Sequence, residues 1–145
     1  MKLNEAQITD QVKGFLEHKG WRAIRMQRTV MPGQFSTGEP GMADFCFVRY
    51  IGTGELPAAT LMLWCEFKQK GARAKCRCAT KKPRQRCTLC DQKTWRDRER
   101  QRGALVWTQV DSIDWVMREY ERCFGWLHHE QGRGQLEFLL QGVMA

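Results

Sequence analysis

The sequence predicts a single α/β domain built on a mixed β-sheet that is flanked by helices. Its 145 residues suit one hydrophobic core, and 42% of them are hydrophobic, with 15 aromatic residues among them, so we expect the chain to fold. Hydrophobic periodicity indicates the order helix, strand, strand, strand, helix, strand, helix, which is typical of an α/β arrangement. We therefore expect residues 1–145 to form one domain, with a basic four-cysteine insertion at about residues 70–90.

The first half of the chain predicts one helix and three strands. Asn4 is a good N-cap, and apolar residues at helical spacing predict a helix over 4–19. Alternating apolar residues predict a strand over 21–28, followed by a loop rich in Gly and Pro. Two more strands, over 43–51 and 60–68, are separated by a short turn, so we expect them to pair as an antiparallel hairpin.

The second half predicts a helix, a short strand and a further helix. The first helix is expected to begin in a capping box formed by Thr88 and Asp91 and to end at Gly103. The last helix is expected to begin at Asp111 as its N-cap. The tail over 125–145 fits a strand and a short helix equally.

The positive charge of the chain is concentrated in one segment. The chain carries 24 basic and 16 acidic residues, a net charge of +8, while Gln69–Arg102 alone has 13 basic and 3 acidic residues. Such a segment is typical of a surface that binds a polyanion, because each Lys or Arg on a phosphate releases condensed counterions. A solvated charged face is the alternative.

The seven cysteines fall into two groups. Four of them form a C-x-C pair and a C-x2-C pair eight residues apart, a spacing that can bring four thiolates to a tetrahedral Zn²⁺. We expect a structural zinc, with redox chemistry or coincidence as the alternatives. The predicted zinc ligands are Cys76, Cys78, Cys87 and Cys90. The scattered cysteines, which we expect to be buried thiols, are Cys46, Cys65 and Cys123.

Charged side chains occur where the predicted strands should be apolar. Asp44 opens one strand, and Glu66 and Lys68 close the strand predicted to pair with it. In an antiparallel hairpin these ends are neighbours, and Glu5 lies in line with the apolar face of the first helix. Carboxylates placed together suit Mg²⁺ or Mn²⁺, and a lysine beside them suits phosphodiester hydrolysis. A salt-bridged strand end is the alternative.

These motifs resemble those of a known nuclease superfamily. Gly41-Met42-Ala43-Asp44, Cys65-Glu66-Phe67-Lys68 and then Gln92 are similar to the D...E-x-K...Q pattern of the PD-(D/E)XK nucleases. Within that superfamily the sequence resembles the VRR-NUC (virus-type replication-repair nuclease) family, whose small phage members resemble Holliday junction resolvases. The sequence departs from the pattern at Ala43, where Pro is usual, and in its four-cysteine insertion.

The resemblance implies a restriction-endonuclease-like core and a set of site residues. Lys68 would activate or position the attacking water, and Gln92 would orient Lys68 or the scissile phosphate. The products would carry a 5′-phosphate and a 3′-hydroxyl. The implied ligands for catalytic Mg²⁺ or Mn²⁺ are three carboxylates and one backbone carbonyl, those of Glu5, Asp44, Glu66 and Phe67.

The resemblance also gives the basic segment a role, which is to contact the DNA backbone along one rim of the cleft. The residues expected to do so are Lys70, Arg73, Lys75, Arg77, Lys81, Lys82, Arg84, Arg86, Lys93, Arg96 and Arg100. Arg22, Arg25 and Arg28 are weaker candidates, because an exposed strand face explains them equally.

The resemblance implies a structure-specific endonuclease that acts on branched DNA, with a Holliday junction as the expected substrate. A flap- or fork-directed nuclease and a non-catalytic zinc protein that binds DNA are the alternatives. We expect a homodimer, with exposed aromatic residues of the helix over 111–124 at its interface. The sequence contains no run of 18 apolar residues and its N-terminus lacks the apolar core of a signal peptide, so we expect no membrane contact and a cytoplasmic location in a bacterial or phage-infected cell.

Overall fold

The computed structural model describes residues 3–26, 39–51, 59–71, 76, 78 and 87–128. Within these ranges the α/β class and the predicted order of elements are confirmed. The elements are α1 (Glu5–His18), β1 (Arg22–Arg25), β2 (Phe45–Ile51), β3 (Ala59–Phe67), α2 (Thr88–Gln101), β4 (Leu105–Val110), α3 (Ile113–Phe124) and a 3-10 turn (Gly125–His128).

The described strands form one mixed sheet in the order β1-β2-β3-β4. Neighbours among the first three strands are antiparallel, whereas β3 and β4 are parallel because α2 carries the chain back between them. The predicted hairpin is confirmed, with Phe45 opposite Cys65 and Ile51 opposite Ala59. The start of β2 and the end of β3 therefore lie at the same edge of the sheet.

Helices cover both faces of this sheet. Side chains alternate along a strand, so Leu63 and Cys65 face α1 and α3, whereas Trp64 faces α2. The larger core contains apolar residues of α1 and α3 at spacings of four, and the smaller one is centred on Trp95 of α2. The Trp64 and Trp95 rings meet edge to face with their centroids 5.2 Å apart.

The predicted exposed aromatic face on α3 is wrong. Tyr120 and Phe124 are buried in the larger core, and Trp115 is half-buried against Trp107. The Tyr120 hydroxyl accepts hydrogen bonds from Trp21 Nε1 and Arg49 Nη1, each at 3.2 Å, so its polar atom is satisfied inside the core. The apolar stripe of α3 therefore packs into the larger core of this chain.

Two predicted helix starts are wrong by one residue. Cys87 is the N-cap of α2, and no side chain forms a capping hydrogen bond there. The expected capping box of Thr88 and Asp91 does not form, because Thr88 is already the first residue of the helix. Ser112 is the N-cap of α3 in place of Asp111, and its hydroxyl accepts from Trp115 N at 3.4 Å. The Asn4 cap of α1 is confirmed, with a reciprocal bond between Asn4 and Gln7.

Gly103 follows α2 with φ +90°, as expected of the glycine after a helix. Most of the predicted tail over 125–145 lies outside the described residues, and its first four residues form the 3-10 turn. None of the helices in the described ranges is long and apolar enough to cross a membrane.

Candidate active site and cysteine cluster

Asp44 is held between two strands at the edge of the sheet. It lies one residue before β2, not inside the strand as predicted. Its Oδ2 accepts a hydrogen bond of 2.9 Å from the backbone N–H of Phe67, and its backbone carbonyl accepts one of 3.0 Å from Met26. Because Asp44 is only half-buried and Oδ1 is free of the Phe67 bond, the carboxylate retains an oxygen for a further ligand.

Glu66 and Lys68 form an ion pair at the end of β3. Glu66 is 6% exposed, which makes it the buried charged residue of the described chain. Its Oε1 lies 3.1 Å from Lys68 Nζ. The pairing of β3 with β4 is irregular between Cys65 and Phe67, because β4 has one residue more than β3 over this stretch. Beyond the irregularity, the backbone N–H of Lys68 donates to Val110 O at 3.1 Å. A buried carboxylate needs such a cation to offset its lost hydration.

Gly41 brings the start of α2 to this edge of the sheet. Its φ is +79°, and a Cβ built on it would lie 2.2–2.4 Å from backbone atoms of Asp91 and Gln92. Only glycine permits this backbone conformation together with this close approach. Gln92, which the sequence predicts in the site, therefore lies against the segment that leads directly to Asp44.

A cavity of about 540 Å³ opens between α1 and the sheet beside Asp44. Three of the four predicted Mg²⁺ ligands, Glu5, Asp44 and Phe67, line it. Glu66 does not line this cavity, and within the described residues it is the four cysteines, not the carboxylates, that lie close enough together to hold a metal ion. The structure thus brings the predicted residues to one edge of the sheet, with Glu66 turned towards Lys68.

The cavity also contains two charged residues that the sequence did not place in the site, and a third, Arg25, that it gave only as a weaker candidate for a DNA contact. Asp10 and Lys13 lie on α1, and Arg25 ends β1. The signal for the first two is helical spacing, since positions three or four residues apart share one side of a helix: Lys13 follows Glu5 and Thr9 at steps of four, and Asp10 lies three residues before Lys13. Arg25 has no comparable local signal, because its place opposite Phe45 depends on the strand register.

The four clustered cysteines meet, as predicted, in a group that can bind a metal ion. All four Sγ atoms lie within 4.8 Å of one another. The Cys76–Cys87, Cys76–Cys90 and Cys78–Cys90 sulfur pairs are 3.7, 3.5 and 3.3 Å apart. Four thiolates at about 2.3 Å from one Zn²⁺ have sulfur atoms about 3.8 Å apart, whereas a disulfide needs about 2.05 Å. The spacing fits a tetrahedral metal site and excludes disulfides.

Hydrogen bonds between sulfur atoms raise the pKa of two of these thiols. For Cys78 the bond with Cys76 contributes most, followed by those with Cys90 and Cys87. For Cys90 the bond with Cys78 lowers the pKa, but the bonds with Cys76 and Cys87, desolvation and the charge of Cys76 together raise it by more. Metal binding to such a cluster releases protons, because thiolates are the ligands.

Two of the three scattered cysteines, Cys46 and Cys65, are buried as predicted. Burial raises the pKa of Cys46 to about 11. Burial also raises the pKa of Cys65, which nearby Cys46 and Asp44 raise further. Cys123 is half-buried beside the larger core. Raised pKa values leave the two strand thiols protonated and unreactive at neutral pH.

The basic residues of α2 already have partners within the protein. Lys93 Nζ pairs with Asp97 at 2.5 Å, and the Arg96 Nε lies 3.7 Å from the same carboxylate. Arg100 Nη2 donates to Val106 O at 2.9 Å. Lys70 is exposed after β3. The other predicted DNA contacts, which lie outside the described residues, are Arg73, Lys75, Arg77, Lys81, Lys82, Arg84 and Arg86.

Comparison with known proteins adds no relative. No family model, no curated protein and no solved structure matches this chain. The functional assignment therefore depends on the residues and the geometry described above.

Proposed function

We propose that this protein is a metal-dependent endonuclease of the PD-(D/E)XK type, similar to the VRR-NUC family, with a restriction-endonuclease-like core. The observation that carries the proposal is the hydrogen bond from Phe67 N to Asp44. It joins the predicted Asp to the middle residue of the predicted E-x-K motif, across 23 residues of sequence. A mixed sheet with helices on both faces supports the same assignment.

The donor set at this edge of the sheet fits a hard divalent cation. Glu5, Asp44 and the Phe67 carbonyl, with Glu66 beside them, are the residues that would hold Mg²⁺ or Mn²⁺, and all of them offer oxygen. The cation supplies Lewis-acid polarisation of the scissile phosphate and lowers the pKa of a bound water. The Phe67 N–H fixes one Asp44 oxygen and thereby orients the other.

Lys68 and Gln92 assist the same reaction in this proposal. Lys68 is 29% exposed at its side chain, so its ammonium can reach a water or a phosphate while it remains beside Glu66. Gln92 lies at the start of α2 against Gly41, close to the segment that carries Asp44. Its amide would orient Lys68 or the scissile phosphate. The products would be a 5′-phosphate and a 3′-hydroxyl.

Zn²⁺ is the metal that we propose for the cysteine cluster, with a structural role. Four thiolates fill a tetrahedral coordination sphere and leave no position for water. Two of the ligands, Cys87 and Cys90, lie at the N-cap and in the first turn of α2. Zinc would hold together the start of this helix, which has no side-chain cap, by bonding the Cys87 and Cys90 thiolates.

The proposed substrate is branched DNA, with the Holliday junction first among the candidates. Basic residues after β3 and on α2 would contact phosphates, which positions a duplex without reading its bases. A symmetric junction suits a homodimer with two active sites, and a flap or a fork suits a monomer. The setting proposed for this reaction is the cytoplasm of a bacterial or phage-infected cell.

The decisive experiment is cleavage of end-labelled four-way junction, 5′-flap, fork and linear duplex DNA with Mg²⁺, Mn²⁺ or EDTA. Wild type is compared with Asp44→Asn and, as a matched control, with Asp114→Asn, which changes an exposed residue of α3. We expect paired nicks in the junction that Asp44→Asn and EDTA abolish and Asp114→Asn retains. Binding of every substrate without cleavage under either metal would establish a DNA-binding zinc protein instead.

Metal analysis tests the zinc site separately. We expect one Zn²⁺ per chain in the purified protein, and its loss in Cys76→Ser. Cys123→Ser is the control, because Cys123 lies outside the cluster and is half-buried. Replacement by Co²⁺ should give the intense visible absorption of a tetrathiolate. Equal zinc content in both variants would show that the cluster is not the binding site.

A further inference from the structure

The cavity beside Asp44 has a charge imbalance that bears on how DNA would enter it. Three carboxylates line it, those of Glu5, Asp10 and Asp44. A phosphodiester that approaches these groups is repelled unless cations offset them. Lys13 and Arg25 are the basic residues of the cavity lining.

Lys13 and Arg25 differ in whether they form an ion pair with another described residue. Lys13 Nζ lies 3.8 Å from Glu17 Oε1, and both side chains are about half exposed. Arg25 forms no ion pair with any residue in the described ranges and is exposed at the end of β1. By contrast, Arg49 donates to Tyr120 and Arg100 to Val106. Within the described part of the chain, the Arg25 guanidinium therefore has no ion-pair partner.

The backbone holds Arg25 beside the proposed catalytic carboxylate. Arg25 is opposite Phe45 in the antiparallel ladder, and the next residue, Met26, donates to Asp44 O at 3.0 Å. Ala23 and Arg25 share a strand face, and both line the cavity. Arg22, the other weaker candidate on this strand, belongs to the opposite face, where the register pairs it with Val48, and it does not line the cavity.

We propose that Arg25 binds the phosphate backbone of DNA at the cavity, at the end of β1. This inference depends on the proposed nuclease function. A planar guanidinium offers two parallel donors to phosphate oxygens, and such bonds are both strong and directional. Arg25 would place the phosphate against Asp44.

The test compares Arg25→Gln with Arg22→Gln, which removes an equal charge three residues away on the other face of the same strand. Because Arg25 is exposed, its variant should fold, and circular dichroism checks this. We expect Arg25→Gln to lower kcat/KM for DNA cleavage about tenfold and Arg22→Gln to change it less than about twofold. Arg25→Lys should recover part of the loss, because an ammonium retains the charge but not the bidentate geometry.

A second measurement separates this inference from the proposed function. DNA binding is measured in Ca²⁺, without cleavage, at several salt concentrations, and the slope of log K against log salt concentration is compared between variants. We expect Arg25→Gln to reduce the magnitude of this slope by about one and Arg22→Gln to leave it unchanged. If the wild-type protein binds DNA but never cleaves it, the nuclease proposal fails. The slope would still show whether Arg25 contacts a phosphate. Equal rates and slopes for the two variants, or a larger effect of Arg22→Gln, would overturn the inference.

Discussion

The Asp44 carboxylate accepts a hydrogen bond of 2.9 Å from the backbone N–H of Phe67, the residue between Glu66 and Lys68. This bond joins the start of β2 to the end of β3, where the sheet has no further ladder pair between these two strands. It therefore contributes to stability and also orients the carboxylate, and substitutions can separate these two roles.

Asp44→Asn and Asp44→Ala should separate them. The Asn oxygen still accepts from Phe67 N, so we expect its free energy of unfolding to stay within about 0.5 kcal/mol of wild type, whereas Ala should lose about 1–2 kcal/mol. Both variants should lose cleavage by about a thousandfold or more, because neither supplies a carboxylate. Urea denaturation and cleavage rates measure the two effects. An active Asp44→Asn protein would contradict the role of the charge.

The buried Glu66 should make Lys68 important for stability. Lys68→Met leaves the Glu66 carboxylate, 6% exposed, without its cation, and we expect a loss of about 2 kcal/mol in the free energy of unfolding. The double variant Glu66→Gln with Lys68→Met should recover part of this loss. Lys70→Met, at an exposed position, should have little effect. Equal stability of Lys68→Met and Lys70→Met would mean that the ion pair contributes nothing measurable.

Gly41 should be the least replaceable of three glycines. Gly41→Ala meets both an unfavourable φ of +79° and the backbone of Asp91 and Gln92, so we expect a loss of about 3 kcal/mol. Gly103→Ala has φ +90° in open space and should lose about 1 kcal/mol. Gly14→Ala lies inside α1 with nothing within 4 Å and should stabilise by about 0.5–1 kcal/mol. Thermal denaturation gives the ranking, and an inverted order of the first two would exclude the contact with α2.

Asp97 provides a pH test of the α2 ion pair. The hydrogen bond from Lys93 lowers the pKa of Asp97 from its ordinary 3.8, and the charges of Arg96 and Arg100 add to this. Because the folded pKa is the lower one, the pair stabilises the protein above pH about 3.8 and loses this effect as pH falls through the folded value. Lys93→Gln should raise the Asp97 pKa towards 3.8, as measured by NMR titration, and Lys93→Arg should largely maintain it. An unchanged pKa in Lys93→Gln would contradict the pair.

Local patterns predicted the elements well because each depends on neighbours in sequence. Apolar spacing predicts a helix over 4–19, and α1 spans Glu5–His18. The hairpin follows from two apolar runs and a short turn. Helix caps were less predictable, since the cap is decided by the backbone angles of one residue. Thr88 and Asp111 were the expected N-caps, but the adjacent residues Cys87 and Ser112 occupy those positions.

The candidate site was partly predictable for the same reason. An antiparallel hairpin places its two ends together, so Asp44 beside the E-x-K motif follows from the element order alone. The cysteine cluster follows from sequence spacing, and its sulfur atoms meet within 4.8 Å. The position of Arg25 in the cavity does not follow from any local pattern, because it depends on which strand face α1 covers.

The sequence by itself therefore determined the α/β class, the order of elements, the hairpin and the four-cysteine group, all of which depend on short spacings and alternating side chains. The tertiary structure decided that the aromatic residues of α3 enter the core and that the start of α2 packs against Gly41. It also decided that Lys13 and Arg25 share a cavity with Asp44. Those outcomes depend on how the helices pack across the sheet, which is a property of distant side chains that meet only in the folded chain.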